Sequence, residues 1–238
     1  MHQVLIHKRT LAESICEKQL SDPLLRHVYK CPDNLTIYTH HNYDTVPVFE
    51  KSMTHLGIDY ISKKVDTVDY KYNMKIEYLT DIILNDKCKT DYILVCDTND
   101  VVFNQDPNKL IKQFEQFNCD MLFNSTDWEF PYTTCMHERY QIIVNKYRHT
   151  RFLNAGVWIA KTKNIKDILL RFNEFVPKDY SEQLSISEWK SFHLRGNKIQ
   201  TRLPNFPYGS VDQDIFRYIL TEFYPRMQVD QNNLITYR

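Results

Sequence analysis

Two aspartates, Asp97 and Asp100, stand three residues apart directly after a run of apolar residues at 92–96. Hard divalent cations prefer oxygen ligands, and Mg²⁺ or Mn²⁺ is often held by one or two carboxylates together with phosphate oxygens of a substrate. A turn between the two residues can present both side chains to one cation. Aspartate also caps turns without any ligand, so the pair alone leaves a structural and a metal-binding interpretation open.

The same two carboxylates suggest a second enzyme class, the haloacid-dehalogenase-type phosphatases, which also carry aspartates after a buried strand. In those enzymes the aspartates are two residues apart, whereas here they are three apart, and no later lysine and paired-aspartate motif follows in suitable context. The chain has only four glycines, too few for the Gly-rich phosphate loops of P-loop and dinucleotide-binding proteins. A metal-dependent phosphohydrolase built on the two aspartates stays an alternative.

The composition excludes several other function classes. The 238 residues include 30 basic and 30 acidic side chains, so no basic excess exists to bind a nucleic acid. No apolar run approaches the roughly 20 residues needed to span a bilayer, and no signal peptide is visible. The six cysteines lack CxxC spacing and the density of a disulfide scaffold. We therefore expect an intracellular, cytoplasmic protein with no nucleic-acid partner and no membrane span.

The elements that must position the two aspartates alternate along the chain. Strands are predicted at 35–39, 58–64, 91–96, 119–124 and 151–161. Helices are predicted at 10–20, 23–30, 46–56 (ending at Gly57), 73–84, from Asp106-Pro107 onward, at 165–175 and at 210–224. This alternation favours a mostly parallel sheet with helices on both faces, in which ligands bind beyond the carboxyl ends of strands. No repeat or linker is visible, so we predict one domain over 1–238 with an N-terminal helical extension at 1–34.

Five blocks of residues follow one another in an order that is fairly specific when they are taken together. They are Asp97-Thr-Asn-Asp100 with Val-Val-Phe after it, Phe123-Asn-Ser-Thr-Asp-Trp128-Glu-Phe-Pro131, Arg151-Phe-Leu-Asn154-Ala-Gly156-Val-Trp-Ile, Asp212-Gln213-Asp-Ile-Phe216 and Val229-Asp230. From about 35 to 237 the chain resembles a GT-A glycosyltransferase, most closely the glycosyltransferase domain of procollagen lysyl hydroxylases. The resemblance implies a GT-A-type (Rossmann-like) α/β fold with a mostly parallel sheet flanked by helices.

The resemblance also implies a reaction and roles for particular residues. It implies transfer of a hexose from a UDP-sugar, UDP-glucose or UDP-galactose, to a collagen-like or glycan acceptor, either hydroxylysine or galactosyl-hydroxylysine. Asp97 and Asp100 would hold Mn²⁺ (or Mg²⁺) against the diphosphate. The other implied positions are Thr39 and the loop after it near the uridine, Lys75 near the nucleotide or sugar, Trp128 stacked on a sugar face, and Asn154, Asp212 and Gln213 at the donor sugar and the reacting centre. Structural interpretations stay open: Lys75 as a solvated helix charge, Trp128 as a core residue and Asp212 as a helix N-terminal acid.

The chain departs from the family pattern at four places, one of which is the absence of the Gly-rich segment before the Lys75 helix. The family usually completes its metal site with a histidine near the end of the domain, whereas the last histidine here, His193, precedes Asp212. Asn99 replaces the aromatic residue inside the Asp-x-x-Asp loop, and Val211 stands where the family's acidic run has a further carboxylate. These departures keep a second function open, a degenerate module that binds a nucleotide or glycan without turnover.

Overall fold

The structure, a computed structural model, describes residues 3–65, 74–127, 141–143, 145–146, 151–176 and 212–237. Its strands are β1 (Leu5–His7), β2 (Leu35–His41), β3 (Ile61–Lys64), β4 (Tyr92–Cys96), β5 (Val101–Phe103), β6 (Met121–Thr126), β7 (Phe152–Lys161), β8 (Met227–Val229) and β9 (Thr236–Tyr237). Its principal helices are α1 (Arg9–Ser21), α2 (Val48–Leu56), α3 (Met74–Leu84), α4 (Asn108–Glu115), α5 (Lys166–Glu174) and α6 (Asp212–Phe223).

The central sheet has six strands in the order β3-β2-β4-β7-β6-β8. Strand β7 runs antiparallel to both of its neighbours, β4 and β6, while the other pairs in the sheet are parallel. Strand β4 lies in the middle and is almost entirely buried, as its continuous apolar sequence predicts. The prediction of a mostly parallel sheet is therefore confirmed.

Helices cover both faces of this sheet. On one face α3, α5 and α6 pack over a core that contains Trp158, Phe172 and Phe216. On the other face α2 and α4 pack over a second core around Phe49 and Phe114. Each core combines strand side chains with apolar helix side chains spaced at three and four residues, which is the pattern that predicted the helices. None of the described helices has the length and apolar character that a membrane span requires.

Helix α2 ends where the sequence predicts. Gly57 follows it with a φ of 75°, in the left-handed region that glycine adopts without strain, and its N–H donates to the carbonyl of Met53. A Cβ on Gly57 would lie 2.8 Å from Nδ1 of His27. The position is therefore restricted to glycine by both conformation and packing.

The N-terminal region differs from the expected helical extension. Helix α1 forms, but the helix predicted over 23–30 is only a 3₁₀ turn at Pro23–Leu25. Ahead of α1, strand β1 lies between β5 and β9 in a separate three-stranded sheet, antiparallel to β5 and parallel to β9. Three residues are too few to show a strand period in the sequence. The pairing places His7 opposite Val101, next to the aspartate turn.

Candidate metal and donor site

The aspartate turn joins the two sheets. Asp97 follows β4 of the large sheet, and Asp100 precedes β5 of the small one. The backbone N–H of Asp97 donates to the carbonyl of Gly156 on β7 at 2.7 Å. Because β7 is antiparallel to β4, its amino-terminal half reaches the same edge as the carboxyl ends of β2 and β4. The site thus lies at the edge that the strand-end rule predicts.

His7, Asp97 and Asp100 form a cluster that could hold a metal ion. One ligand atom from each residue lies within 4.8 Å of the others, and Nε2 of His7 is 3.1 Å from Oδ2 of Asp100. His7 is buried, whereas both aspartates are partly exposed and so can be reached by a ligand. One imidazole nitrogen and two carboxylates are a donor set that suits a divalent first-row cation.

Gly156 leaves the space in which these side chains meet. A Cβ added there would lie 2.5 Å from Oδ2 of Asp97 and would also overlap the imidazole of His7. Any side chain at this position would therefore push the imidazole and the carboxylate apart. Glycine at 156 therefore allows the imidazole and the carboxylate to approach each other.

Lys75 joins the cluster to helix α6. The side chain is buried, and its Nζ lies 3.0 Å from Oδ1 of Asp97 and 3.1 Å from Oδ2 of Asp212. Lys75 is therefore not a solvated helix charge. Burial raises the pKa of the Asp212 carboxyl above its usual value, and the positive charge of Lys75 opposes that rise. Asp212 begins α6, as a helix N-terminal acid would, and also forms a buried ion pair.

Asn154 and Gln213 bond directly to each other. The amide of Asn154 donates to Oε1 of Gln213 at 3.0 Å, and the same oxygen accepts the backbone N–H of Ala155 at 3.1 Å. Oδ1 of Asn154 accepts the N–H of Gly156 at 3.1 Å. These bonds fix the amino end of β7 against the start of α6. The structure brings the three predicted catalytic residues, Asn154, Asp212 and Gln213, beside the cluster, and their catalytic roles stay predictions.

A polar pocket of about 240 Å³ opens beside the aspartate turn. Tyr43 stacks against His41 with ring centroids 5.8 Å apart and planes 15° apart, and His41 Nε2 lies 2.9 Å from a carboxylate oxygen of Glu50. Burial, with nearby Lys75, lowers the pKa of His40 to about 4, so this imidazole is neutral at pH 7. The lining residues are Arg9, His40, His41, Asn42, Tyr43, Asp97, Thr98, Asn99 and Asp100.

One predicted donor-site residue, Thr39, does not line this pocket. Thr39 is fully buried, and its hydroxyl donates to the carbonyl of Cys96 at 2.8 Å, so its side chain ties β2 to β4. The residues that follow Thr39 in the chain, from His40 to Tyr43, do line the pocket. Trp128 lies outside the described residues. The uridine role of Thr39 and the sugar-stacking role of Trp128 stay predictions.

His7 is the member of the cluster that the sequence analysis missed. It is 93 residues away from Asp100 in the chain, and no spacing rule relates the two. The only local signal is a short apolar run, Val4-Leu-Ile, that ends in a histidine.

Comparison with known proteins identifies the family. A family model described as the PLOD GT domain matches residues 36–188, more than half of the chain. No curated protein matches significantly. Two solved structures are among those that match the chain. One is a glycosyltransferase involved in the glycosylation of the major capsid of PBCV-1, with 16% identity, a TM-score of 0.42, and coverage of 83% of this chain and 81% of that chain. The other is apo mouse xyloside xylosyltransferase 1, with 12% identity, a TM-score of 0.39, and coverage of 94% and 82%.

The family match covers the first three of the five sequence blocks, and the observed sheet has the mixed α/β arrangement expected of a GT-A-type fold. The resemblance stated from the sequence is confirmed. The chain belongs to the PLOD GT domain family, the glycosyltransferase domains of collagen lysyl hydroxylases.

Proposed function

We propose that this chain is a metal-dependent hexosyltransferase that moves glucose or galactose from a UDP-sugar to a hydroxyl group. The observation that carries the proposal is the Asp97/Asp100 pair, which faces His7 on one side and a pocket of about 240 Å³ on the other. Mn²⁺ or Mg²⁺ bound there would neutralise the charge that develops on the departing UDP. The family match supports glycosyl transfer as the reaction class.

The pocket supports a position for the nucleotide base. It lies next to the aspartate turn, so a nucleotide whose diphosphate reaches the two carboxylates has its base within reach of Tyr43. Burial raises the pKa of the Tyr43 hydroxyl, and the side chain of Asn99, the residue that replaces the usual aromatic of this turn, opposes that rise. Tyr43 can therefore provide the aromatic face that the turn itself lacks.

The buried groups on the other side of the cluster support positions for the sugar. Buried Lys75 lies between the partly exposed carboxylate of Asp97 and the buried carboxylate of Asp212, which would otherwise repel each other. Gln213 and Asn154 are fixed by their mutual hydrogen bond and present amide groups that can bind sugar hydroxyls. We place the hexose here and the acceptor hydroxyl, from hydroxylysine or galactosyl-hydroxylysine of a collagen-like chain, beside it.

Thermal unfolding with UDP, UDP-glucose and UDP-galactose, each with and without Mn²⁺, tests the donor site. We expect stabilisation that requires both nucleotide and cation, about 2.7 kcal/mol at one hundred times the dissociation constant. Asp97→Asn and Asp100→Asn should each abolish it. Asp81→Asn on the exposed face of α3 is the matched control and should keep it. Wild-type-like binding of UDP and Mn²⁺ by both site variants would show that the assignment is wrong.

A transfer assay separates the proposal from its alternatives. Mass spectrometry of hydroxylysine and galactosyl-hydroxylysine peptides incubated with each donor should detect an added hexose. UDP and Mn²⁺ binding without any transfer would favour the degenerate binding module. Phosphate release from sugar phosphates without a nucleotide would favour the phosphohydrolase.

An intracellular location stays a prediction, supported by the free thiols of the described cysteines.

A further inference from the structure

We propose that His7 is the third protein ligand of the cation, supplied by the N-terminal strand β1, and that Asn124 controls the imidazole tautomer that can bind it. The proposal rests on the cation of the proposed function and adds to it a ligand from a distant part of the chain. It also favours Mn²⁺ over Mg²⁺, because imidazole nitrogen is a poor ligand for Mg²⁺ and a better one for transition metals.

Strand β1 fixes the position of His7. Its central place between β5 and β9 pairs His7 with Val101, the residue directly after Asp100. The imidazole is 2% exposed, so it cannot turn away into solvent, and its Nε2 faces the carboxylates. Because Gly156 has no Cβ, the imidazole has the space to face the carboxylates. Backbone pairing and packing therefore preorganise a nitrogen ligand beside two oxygen ligands.

The hydrogen bonds of Asn124 determine which nitrogen of His7 carries the proton. The backbone N–H of Ser125 donates to Oδ1 of Asn124 at 2.7 Å, so the amide nitrogen of Asn124 faces Nδ1 of His7 at 2.8 Å. An amide nitrogen can only donate, hence Nδ1 accepts and the proton of neutral His7 is on Nε2. From there it is donated to Oδ2 of Asp100.

Metal binding through Nε2 requires the other tautomer. The proton must then lie on Nδ1, and a neighbouring oxygen must accept it, as metal-bound histidines generally require. In this chain the Asn124 amide must turn over so that its oxygen faces Nδ1. This rotation breaks the hydrogen bond that Oδ1 accepts from Ser125 N–H. An aspartate at 124 would avoid this conflict, since its two oxygens can accept from Ser125 N–H and His7 Nδ1–H together.

Electron paramagnetic resonance of bound Mn²⁺ tests the ligand directly. Electron spin-echo envelope modulation detects a directly coordinated nitrogen, and we expect this signal in the wild-type protein and its replacement by a ¹⁵N pattern after labelling with [¹⁵N]histidine. His7→Ala should remove the signal and weaken Mn²⁺ binding by a factor on the order of tenfold or more. Its effect on Mg²⁺ binding should be smaller. His55→Ala, at a histidine that contacts the carbonyl of Asp22 away from the site, is the matched control.

A double-mutant cycle tests the role of Asn124. Asn124→Asp should tighten Mn²⁺ binding in the wild-type background and should do so much less in the His7→Ala background. Equal tightening in both backgrounds would mean that the added charge alone attracts the cation, and would overturn the tautomer role.

The outcomes separate this proposal from the function on which it rests. Mn²⁺ binding that needs Asp97 but shows no coordinated nitrogen in the wild-type protein would overturn the His7 ligand and leave the proposed function intact. The labelling experiment uses the wild-type chain, so it decides this point even if His7→Ala fails to fold. Absence of Mn²⁺ binding with and without UDP would overturn both.

Discussion

Gly156 is the residue on which the geometry of the cluster depends most directly. It has no side chain at the point where His7 and Asp97 meet, and its carbonyl accepts the backbone N–H of Asp97. Its φ is not in the left-handed region, so the restriction at this position is one of space only. The sequence block that contains it indicated a family resemblance but gave no such reason for the glycine.

Gly156→Ala should separate the carboxylate from the imidazole and reduce Mn²⁺ affinity by about tenfold or more, because overpacking of a filled site costs about 1–3 kcal/mol. Calorimetric Mn²⁺ titration of the folded variant measures this loss. Gly57→Ala is the matched control, since its Cβ also meets a histidine and its φ of 75° adds strain. That variant should lose stability and keep its Mn²⁺ affinity. Unchanged affinity in Gly156→Ala would contradict the steric argument.

The sequence predicted those site residues whose signal lies within one short segment of the chain. Asp97 and Asp100 follow a buried strand within one short segment, and the motif is visible without a structure. Lys75 and Asp212 were named from a resemblance, and the ion pairs that join them to Asp97 are a tertiary result. His7 could not be predicted because its partners are about 90 residues away and no local pattern encodes that contact.

Helix α6 has three buried ionisable side chains near its amino end. Its first turn contains Asp212 and Asp214, both buried, and Arg217 is buried one turn later. Burial raises the pKa of Asp214 well above its usual value, Asp212 raises it further, and Arg217 opposes the rise. The buried native state therefore favours the protonated form of Asp214 more than the unfolded chain does.

This difference predicts a stability that falls as the pH rises. Above the unfolded-state pKa near 3.8, unfolding releases the proton of Asp214, so the free energy of unfolding decreases with pH until the native carboxyl ionises. Asp214→Asn should remove up to about 1.4 kcal/mol per pH unit of this slope. Urea unfolding between pH 4 and 8 measures it.

A second variant, at Asp167, checks the sign of the pH dependence of the free energy of unfolding. The ion pair with Arg226 lowers the pKa of Asp167, so its contribution to stability is present above the unfolded-state pKa and is lost as the pH falls. Asp167→Asn should change only the acidic side of the profile. An unchanged slope in Asp214→Asn would mean that Asp214 does not retain its proton in the native state.

Most of the elements could be predicted because their signals are local. Apolar periodicity predicted α2, α3, α4, α5 and α6, and continuous apolar runs predicted β4 and β7 within a few residues. The direction of β7 could not be predicted, since hydrophobicity does not distinguish a parallel from an antiparallel neighbour. Strands β1 and β9 are too short for any period, and their pairing depends on residues from the two ends of the described chain.

The candidate site lies where the two sheets of the molecule meet. The large sheet contributes Asp97 and Gly156, and the small sheet contributes Asp100 and His7. Helices α3 and α6 complete the site with Lys75 and Asp212. A site assembled in this way depends on the relative position of both sheets, and local sequence patterns describe each sheet separately.

The position of β1 has a consequence for local unfolding. The strand has three residues, lies buried between β5 and β9, and is held in part by the bond from Leu5 N–H to Ile235 O, so this N–H exchanges with solvent only when the strand detaches. If His7 binds the cation, each detachment releases a ligand, and the cation opposes the opening. We therefore expect saturating Mn²⁺ to slow amide hydrogen exchange in β1 about tenfold, through linkage. Exchange in helix α5, which contributes nothing to the cluster, should change far less, and His7→Ala should remove the protection of β1.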